Sequence, residues 1–386
     1  MARKTTRMDE YTEKRPTLYL SLELSLLNWE LGFTTGLGQK PRIRTIPARD
    51  LQDLRREVTA AKKRFGLADN ARVVSCYEAG RDGFWLHRAL VESGIKNIVV
   101  DSSSIEVNRR ARRAKADGLD VRKLLTMLVR YDLGEPKIWS VVRVPSVEQE
   151  DGRHLHRELS ALNKEKNRTT NRIKGLLMSQ GIRLAPRTKL SAATLKGIRL
   201  WDGSPLQPGM ESRLRRECDR LAFVQQQIRE LQAERRGLLQ RQQEEADDMV
   251  VAKAKQLHRL RAIGSSGSWI LSHEFFGWRK FNNGREVGSL AGLTPTPYQS
   301  GGTHREQGIS RAGNRHVRAV AVELAWSWLR FQPDSALSRW YVRRFANGGS
   351  RARRVGIVAL ARRLLVVLWR YLESGVLPEG AQLKAV

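Results

Sequence analysis

The stretch LYLSLELSL, residues 18–26, decides the fold of the N-terminal region. Leucine holds every second position, which predicts a β-strand with one fully apolar face. Ser21, Glu23 and Ser25 alternate with the leucines, so they lie on the other face of the strand. The segment therefore predicts the first strand of a sheet, with one carboxylate in the middle of its polar face.

The segments that follow this strand predict an alternation of strands and helices. Two short strands are expected at residues 29–35 and 42–46. The later elements are a helix at 51–65, a strand at 73–78, a helix through Leu86 and Leu90, a strand at 98–100 and a basic helix at 104–130. This order favours an α/β domain with a mixed sheet flanked by helices, as in the ribonuclease H superfamily.

The middle of the chain is charged and has few glycines. Residues 147–181 and 211–260 predict two long helices, and the three prolines of residues 186–208 predict a connection without helix. In the second helix an apolar residue recurs at near-heptad spacing, interrupted by Arg235: Leu214, Leu221, Val224, Ile228, Leu231 and Leu238. The two helices predict either an antiparallel hairpin or a coiled coil between chains.

The C-terminal region predicts a mainly α-helical domain. Residues 260–271 resemble a helix-hairpin-helix element, in which the turn around Gly264 and Gly267 would expose backbone N–H groups to a phosphate. Residues 317–331 and 355–372 predict apolar helices that form a further core. We expect three domains, at residues 1–145, 146–256 and 257–386.

The charge of the chain points to a polyanionic partner. Its 386 residues include 70 Lys+Arg and 40 Asp+Glu, a formal net charge of +30. No folded domain needs this excess for its own stability, because like charges repel, and nucleic acid is the commonest polyanion. A hydrophobic content of 40% excludes wholesale disorder.

Several other classes are also excluded. The two cysteines cannot build a disulfide framework or a cysteine zinc site, and no Walker or dinucleotide motif is present. The charged N-terminus and the absence of a long apolar segment predict a cytoplasmic, nucleoid-associated protein without a membrane anchor.

Four carboxylates are candidates for a metal site: Glu23, Glu78, Asp117 and Asp120. Asp117 and Asp120 are three residues apart and share one helical face. In a ribonuclease H-like sheet, the first and fourth strands are neighbours and the last helix packs near their ends. One or two Mg²⁺ ions would relieve the repulsion in such a cluster and could promote phosphodiester cleavage. Taken singly, each acid could equally be an ordinary surface residue.

Ser300, in the sequence Ser-Gly-Gly, is the candidate nucleophile. Its hydroxyl needs an activating base, metal or cation, and the alternative is a flexible polar turn. Residues 309–318 form a basic turn that enters a helix, which suits either a phosphate contact or an N-capped helix. We expect nucleic-acid contacts from Gly264, Gly267, Arg305, Arg311, Asn314, Arg315, Arg109, Arg110, Arg112 and Arg113.

Several short motifs resemble one protein family in their order and spacing. They are Tyr-Glu-Ala at 77–79, Lys-x-Asp-x-x-Asp at 115–120, Asn-Arg-Ile-Lys-Gly-Leu-Leu at 171–177, Leu-Ala-Gly-Leu-Thr-Pro at 290–295, Ser-Gly at 300–301, Gly-Ile-Ser at 308–310 and Gly-Asn-Arg at 313–315. The chain resembles, over nearly its whole length, the bacterial insertion-sequence transposases with an acidic, Holliday-junction-resolvase-like N-terminal domain and a serine-bearing C-terminal domain. The Piv-type DNA invertases are related, and a structured bridge RNA guides several members.

This resemblance implies specific roles for the candidate residues. Glu23, Glu78, Asp117 and Asp120 match the acidic tetrad of the family, and Ser300 matches the serine that links covalently to DNA. The implied enzyme is a homodimer or homotetramer that exchanges strands through a four-way junction under the guidance of an RNA. The first acid of the family is usually aspartate, and this chain has Glu23 instead.

Two other functions fit the same residues. One is a nuclease or resolvase that uses only the acids, in which Ser300 is part of a turn. The other is a non-catalytic, decayed transposase that binds nucleic acid through its basic surfaces. The two enzyme hypotheses differ in whether a Ser300→Ala variant still cuts DNA.

Overall fold

The computed structural model describes residues 16–81, 83–105, 117–185, 191–240, 249–300 and 303–385. The chain divides into two compact units, residues 1–144 and 145–386, and each has hydrophobic cores of its own. The expected division into three domains remains a prediction.

The first unit contains a five-stranded mixed sheet with the spatial order β3-β2-β1-β4-β5. The strands are β1 (Thr17–Leu24), β2 (Asn28–Thr34), β3 (Arg42–Pro47), β4 (Arg72–Glu78) and β5 (Lys96–Val100). The first three strands are antiparallel to one another, whereas β1, β4 and β5 run parallel. The mixed α/β architecture expected from the sequence is therefore confirmed.

Helices cover both faces of this sheet. They are α1 (Leu51–Arg64), α2 (Trp85–Glu92) and α3 (Asp117–Asp132). Leu18, Leu20 and Leu22 of β1 are fully buried in a core that includes residues of α1 and α2. Tyr19 points to the other face and shares a second core with Leu128 of α3. The alternation of leucine with other residues thus assigns the two sheet faces to different helices.

The predicted helix at 104–130 is wrong at its start. Ser102–Ser104 form a short 3₁₀ turn, α3 begins at Asp117, and residues 106–116 lie outside the described residues. Ser104 Oγ donates to Asp101 O and accepts from Ser140 N at 2.8 Å. A serine hydroxyl that bonds nearby backbone groups competes with helix formation, which explains the turn.

The second unit begins with a helical hairpin. Its helices are α4 (Val147–Asp151), α5 (His154–Met178), α6 (Ala192–Lys196) and α7 (Pro208–Gln240). Leu159 of α5 packs near Val224 of α7, and Leu177 packs near Leu214, so the two long helices are antiparallel. Of the two arrangements left open by the sequence, the chain forms the hairpin.

The connection at residues 186–208 contains more helix than expected. Within it, α6 forms one turn whose N-cap is Ser191, which accepts from Thr194 N. Pro208 is the first residue of α7, a position where a helix needs no backbone N–H donor.

The C-terminal part of the second unit is mainly helical, with one β-hairpin. Its elements are α8 (Met249–His258), α9 (Ser265–Leu271), α10 (Gly284–Leu290), β6 (Pro295–Ser300), β7 (Thr303–Ile309), α11 (Arg315–Phe331), α12 (Ala336–Tyr341) and α13 (Ser350–Ser374). A π-helical segment, Ser272–Phe276, continues α9. The apolar helices predicted at 317–331 and 355–372 are confirmed in α11 and α13. In the described part of the chain, no helix combines the length and apolar character needed to cross a bilayer.

Candidate active site and nucleic-acid interface

Glu23 and Glu78 lie at the carboxyl ends of adjacent parallel strands. Leu22 of β1 is in register with Tyr77 of β4, and each glutamate is the next residue of its strand. Neighbouring strands are about 4.8 Å apart. Side chains alternate along a strand, so Glu23 shares a face with Ser21, and Glu78 shares a face with Cys76. Both glutamates therefore stand on the sheet face that α3 covers.

Direct contacts fix α3 on this face. Ser21 Oγ donates to Val121 O at 2.8 Å, and the Cys76 thiol lies 3.9 Å from Leu124 O. At the other end of the helix, Tyr19 Oη donates to Asp132 Oδ2 at 3.1 Å. The helix thus runs antiparallel to β1, with its N-terminal turn toward the strand ends that bear Glu23 and Glu78.

A glycine in β2 allows α3 to come this close. Gly32 is opposite Ser21 in the sheet, and a Cβ built on Gly32 would lie 2.5 Å from Val121 Cγ1. No real side chain tolerates such a contact. Gly32 therefore sets the distance between the helix start and the sheet.

The tetrad itself is only partly described. Glu23 is half-buried, Glu78 and Asp120 are exposed, and the Asp117 side chain lies outside the described residues. Among the described side chains, no group of three or more His, Cys, Asp or Glu converges as a metal site. The four acids remain candidate ligands that the fold brings to one end of the sheet.

Two further acids lie at the same end of the sheet. Glu30 of β2 is the direct cross-strand partner of Glu23 and is half-buried on the same face. Asp101 directly follows β5, next to the end of β4. The sequence pattern alone could have identified Glu30, because the short turn between β1 and β2 puts it opposite Glu23.

Ser300 is the last residue of β6 and pairs with Thr303 of β7. Its backbone belongs to a strand, not to a free turn, while its side chain and residues 301–302 lie outside the described residues. The base of the hairpin is anchored, because Ser310 N donates to Thr294 O at 2.8 Å. Gly313 also approaches so closely that a Cβ there would lie 2.3 Å from Leu290 O.

A basic groove of about 920 Å³ lies along α5. The cations that line it come from α5, α7 and the start of α11: Arg157, Lys164, Arg168, Arg172, Arg220 and Arg315. Glu165 is the single acid among its lining residues. Arg172 and Arg220 both contact Glu217, whereas no ion pair is recorded for Lys164 or Arg168 in the described structure. The name "basic groove" is used below for this set of residues.

A buried carboxylate anchors one wall of the basic groove. Glu274, in the π-helical segment, accepts from His156 Nε2 and Arg157 Nε at 2.8 Å and from Asn314 Nδ2 at 2.9 Å. Burial alone would raise the pKa of Glu274, but the bonds from His156 and Arg157 hold it far below its ordinary value. Glu274 is therefore ionised, and it orients a groove arginine and the cap of α11 together.

His316 is the neutral member of this wall. Burial lowers the pKa of its imidazole, the negative charge of Glu274 opposes that effect, and the charge of Arg315 lowers the pKa further. The first turn of α11 thus presents a neutral ring beside the Arg315 cation.

The structure distributes the predicted nucleic-acid contacts unevenly. Arg315 lines the basic groove, whereas the Asn314 side chain is occupied by the helix cap and Glu274. Gly264 is the N-cap of α9, and Gly267 is buried inside that helix against Leu324. Arg311 is exposed. The Arg305 side chain and Arg109, Arg110, Arg112 and Arg113 lie outside the described residues.

Sequence reasoning missed most of the basic groove. Lys164, Arg168 and Arg172 recur every four residues, which places them in one row along α5. This spacing was the available signal, but in a chain with so many cations it does not stand out.

Comparisons with known proteins agree with this picture. Residues 254–340, which include Glu274 and the β6–β7 hairpin, match the family model described as Transposase IS116/IS110/IS902 family. The chain is 40% identical over 377 residues to y4rJ of Sinorhizobium fredii, which is assigned as a transposase; the match covers 95% of this chain and 94% of that protein. It is 27% identical over 220 residues to the transposase for insertion sequence element IS1328 of Yersinia enterocolitica, covering 56% of this chain and 60% of that protein.

Proposed function

Because the chain belongs to the IS116/IS110/IS902 transposase family, whose members recombine DNA, we propose that it is a metal-dependent recombinase with a serine nucleophile. In this proposal Glu23, Glu78, Asp117 and Asp120 hold Mg²⁺, as a single ion or a pair. Ser300 attacks the DNA. The observation that carries the proposal is the juxtaposition of Glu23 and Glu78 at the strand ends toward which α3 begins.

The sheet supports a ribonuclease H-like, resolvase-like fold for the first unit. Its three antiparallel strands, followed by two strands parallel to β1, have the order expected for that superfamily. Enzymes built on open α/β sheets place their ligands at the carboxyl ends of strands, where Glu23 and Glu78 lie.

The chemistry of the acids suits magnesium. Carboxylate oxygens are the ligands that Mg²⁺ prefers, and the candidate set contains oxygen donors only. When bound, the metal would supply Lewis-acid stabilisation of the charge that develops on phosphate oxygens. The contribution of the chain is to hold the carboxylates on a rigid strand pair, with Gly32 and Ser21 fixing the helix above them.

The proposed reaction exchanges one phosphodiester bond for another. Ser300 Oγ loses its proton and attacks phosphorus, the bond from phosphorus to the departing strand breaks, and the departing oxygen takes up a proton. The phosphoserine conserves the bond energy, so a second strand can later displace the serine. Two such exchanges would pass through a four-way junction without releasing free ends.

We further propose that a structured RNA guides the enzyme and that it acts as a homodimer or homotetramer. The net charge of +30 and the basic groove support a large nucleic-acid partner. Base pairing would read sequence, while the protein would hold the backbone through Arg315 and its neighbours.

A covalent trap tests this function. The purified chain, with any RNA that co-purifies, is incubated with element-junction DNA and Mg²⁺ and then separated under denaturing conditions. We expect a DNA-linked protein band that is lost in Ser300→Ala and in Asp120→Asn. Ser310→Ala and Asp69→Asn are matched controls, because both residues are exposed and neither is a candidate site residue.

Each alternative outcome has a distinct meaning. Cleavage by Ser300→Ala without a covalent band would favour a nuclease that uses only the acids. Binding without any product, even with junction DNA and RNA supplied, would favour a non-catalytic binding protein.

A further inference from the structure

A cavity of about 550 Å³ lies between α10 and α13, at the base of the β6–β7 hairpin. Its polar lining residues are Arg285, Thr294, Arg362, Arg363 and Arg370. We call this set the arginine pocket. None of its residues belongs to the basic groove or to the acidic end of the sheet.

The arginine pocket contains four cations and no acid among its lining residues. The acids nearest in sequence have other partners: Glu286 accepts from Asn282, and Glu373 pairs with Lys253. Like charges that share a cavity repel one another, so this arrangement costs stability unless an anion joins it. The charge of the pocket therefore indicates an anionic ligand.

Two glycines of α10 bring the arginines into place. A Cβ on Gly288 would lie 3.1 Å from Arg362 Cγ and Cδ, and a Cβ on Gly284 would lie 2.8 Å from Val366 Cγ1. The stem of Arg362 therefore packs directly on α10, and the residue is half-buried. A guanidinium held in this way loses little conformational freedom when it binds an anion.

Thr294 adds a hydrogen-bond donor. Its hydroxyl oxygen is buried and has no hydrogen-bond partner within the described part of the chain. A buried hydroxyl without a partner is unfavourable, and it can donate one hydrogen bond to an acceptor such as a phosphate oxygen. The same residue immediately precedes β6, so the pocket is connected directly to the strand that ends at Ser300.

We propose that the arginine pocket binds a backbone phosphate of the DNA that Ser300 attacks. The choice of DNA as the ligand rests on the proposed function, whereas the anion site rests on the pocket alone. Arginine forks match phosphate oxygens in bidentate geometry. The six residues of β6 span about 20 Å, so the bound phosphate lies within a few nucleotides of the strand that reaches Ser300.

The experiment measures the affinity of the full chain for a random-sequence DNA duplex as a function of salt. Arg362→Gln with Arg370→Gln removes two pocket cations, and Arg330→Gln with Lys280→Gln removes two exposed cations outside the pocket. Each neutralised phosphate contact lowers the slope of log K against log salt by about 0.9. We expect the pocket pair to reduce the slope by about 1.8 and the control pair to leave it nearly unchanged. Equal effects of the two pairs, or no effect of the pocket pair, would overturn the proposal.

Thr294→Val supplies a second test, because it keeps the shape of the side chain and removes the hydroxyl. We expect an unchanged or higher melting temperature together with weaker DNA binding, and we expect Thr294→Ser to restore binding. Parental DNA affinity in Thr294→Val would remove the threonine from the site.

Further arms separate this inference from its neighbours. Inorganic phosphate that stabilises the parent but not the pocket pair, with equal DNA affinities, would reassign the pocket to a small free anion. A duplex RNA that alone shows the loss in the pocket pair would overturn the choice of DNA. Failure of Ser300→Ala to abolish the covalent band, with the pocket pair still weakened, would refute the nucleophile and leave the pocket standing.

Discussion

The hydroxyl of Ser21 donates a 2.8 Å hydrogen bond to the backbone oxygen of Val121. This bond joins the middle of β1 to the first turns of α3, across a face that the adjacent Gly32 leaves open. The relative position of the strand ends and the helix start, on which the proposed metal site depends, is therefore set by two small residues.

Gly32→Ala should damage this arrangement. The added methyl group would lie 2.5 Å from Val121 Cγ1 and 2.9 Å from Ser21 Oγ, so α3 must shift. Overpacking of this kind lowers the free energy of unfolding by about 1–3 kcal/mol. Urea unfolding should show this loss, with reduced strand transfer in the folded fraction. Gly36→Ala is the control, because nothing lies within 4 Å of a Cβ there. Equal stability of the two variants would contradict the packing argument.

Glu274→Gln should destabilise the second unit. The amide keeps the shape of the side chain but loses the charge that His156 and Arg157 contact. Because Arg157 is half-exposed and can turn toward water, we expect a loss of about 1.5–3 kcal/mol in unfolding free energy. Chemical denaturation should show it, and Glu323→Gln, at an exposed position of the same unit, should not.

The effect of Glu274→Gln should depend on pH. The folded chain holds the pKa of Glu274 far below 4.5, so the unfolded chain takes up a proton first as the pH falls. The stabilisation is fully present above that ordinary value and is lost as the pH falls toward the folded pKa. The stability difference between parent and variant should therefore shrink below about pH 4.5. A constant difference between neutral and acidic pH would show that the carboxylate is not the source.

Loss of charge in the basic groove should weaken DNA binding without changing sequence preference. Lys164→Gln and Arg168→Gln each remove a groove cation on the same side of α5. Each should lower the magnitude of the salt slope by about 0.9, because backbone contacts carry no sequence information. Lys174→Gln, an exposed change on the same helix but outside the groove, is the matched control. A sequence-dependent loss in the groove variants would indicate base contacts instead.

The sequence predicted those parts of the molecule whose pattern is local. Alternating leucines at 18–26 identified β1 and the faces of its residues, and the apolar spacing of 214–228 identified the packed side of α7. The start of α3 was wrong, because Ser104 bonds backbone groups at Asp101 and Ser140, and the second of these is distant in sequence.

The parts that escaped prediction depend on tertiary contacts. Glu274 lies in the apolar sequence Ser272–Phe276, where nothing shows that it would meet His156 and Asn314. The arginine pocket forms because Gly284 and Gly288 allow α10 to pack on α13, and neither glycine marks a turn. In a chain with 70 basic residues, a functional cation differs from a solvated one only by its surroundings.

A pair of glutamates at the end of β1 allows the metal assignment to be tested. Glu23 and Glu30 are cross-strand partners, both half-buried on the sheet face covered by α3, but only Glu23 is adjacent to β4 and Glu78. Glu23→Gln should therefore abolish the covalent intermediate and raise the Mg²⁺ concentration needed for activity. Glu30→Gln, the same chemical change one strand away, should leave both nearly unchanged. Magnesium titrations of covalent-complex formation, with circular dichroism to verify folding, measure the difference. If Glu30→Gln shows the larger defect, the ligand set includes β2, and the match of Glu23 to the first acid of the family is wrong.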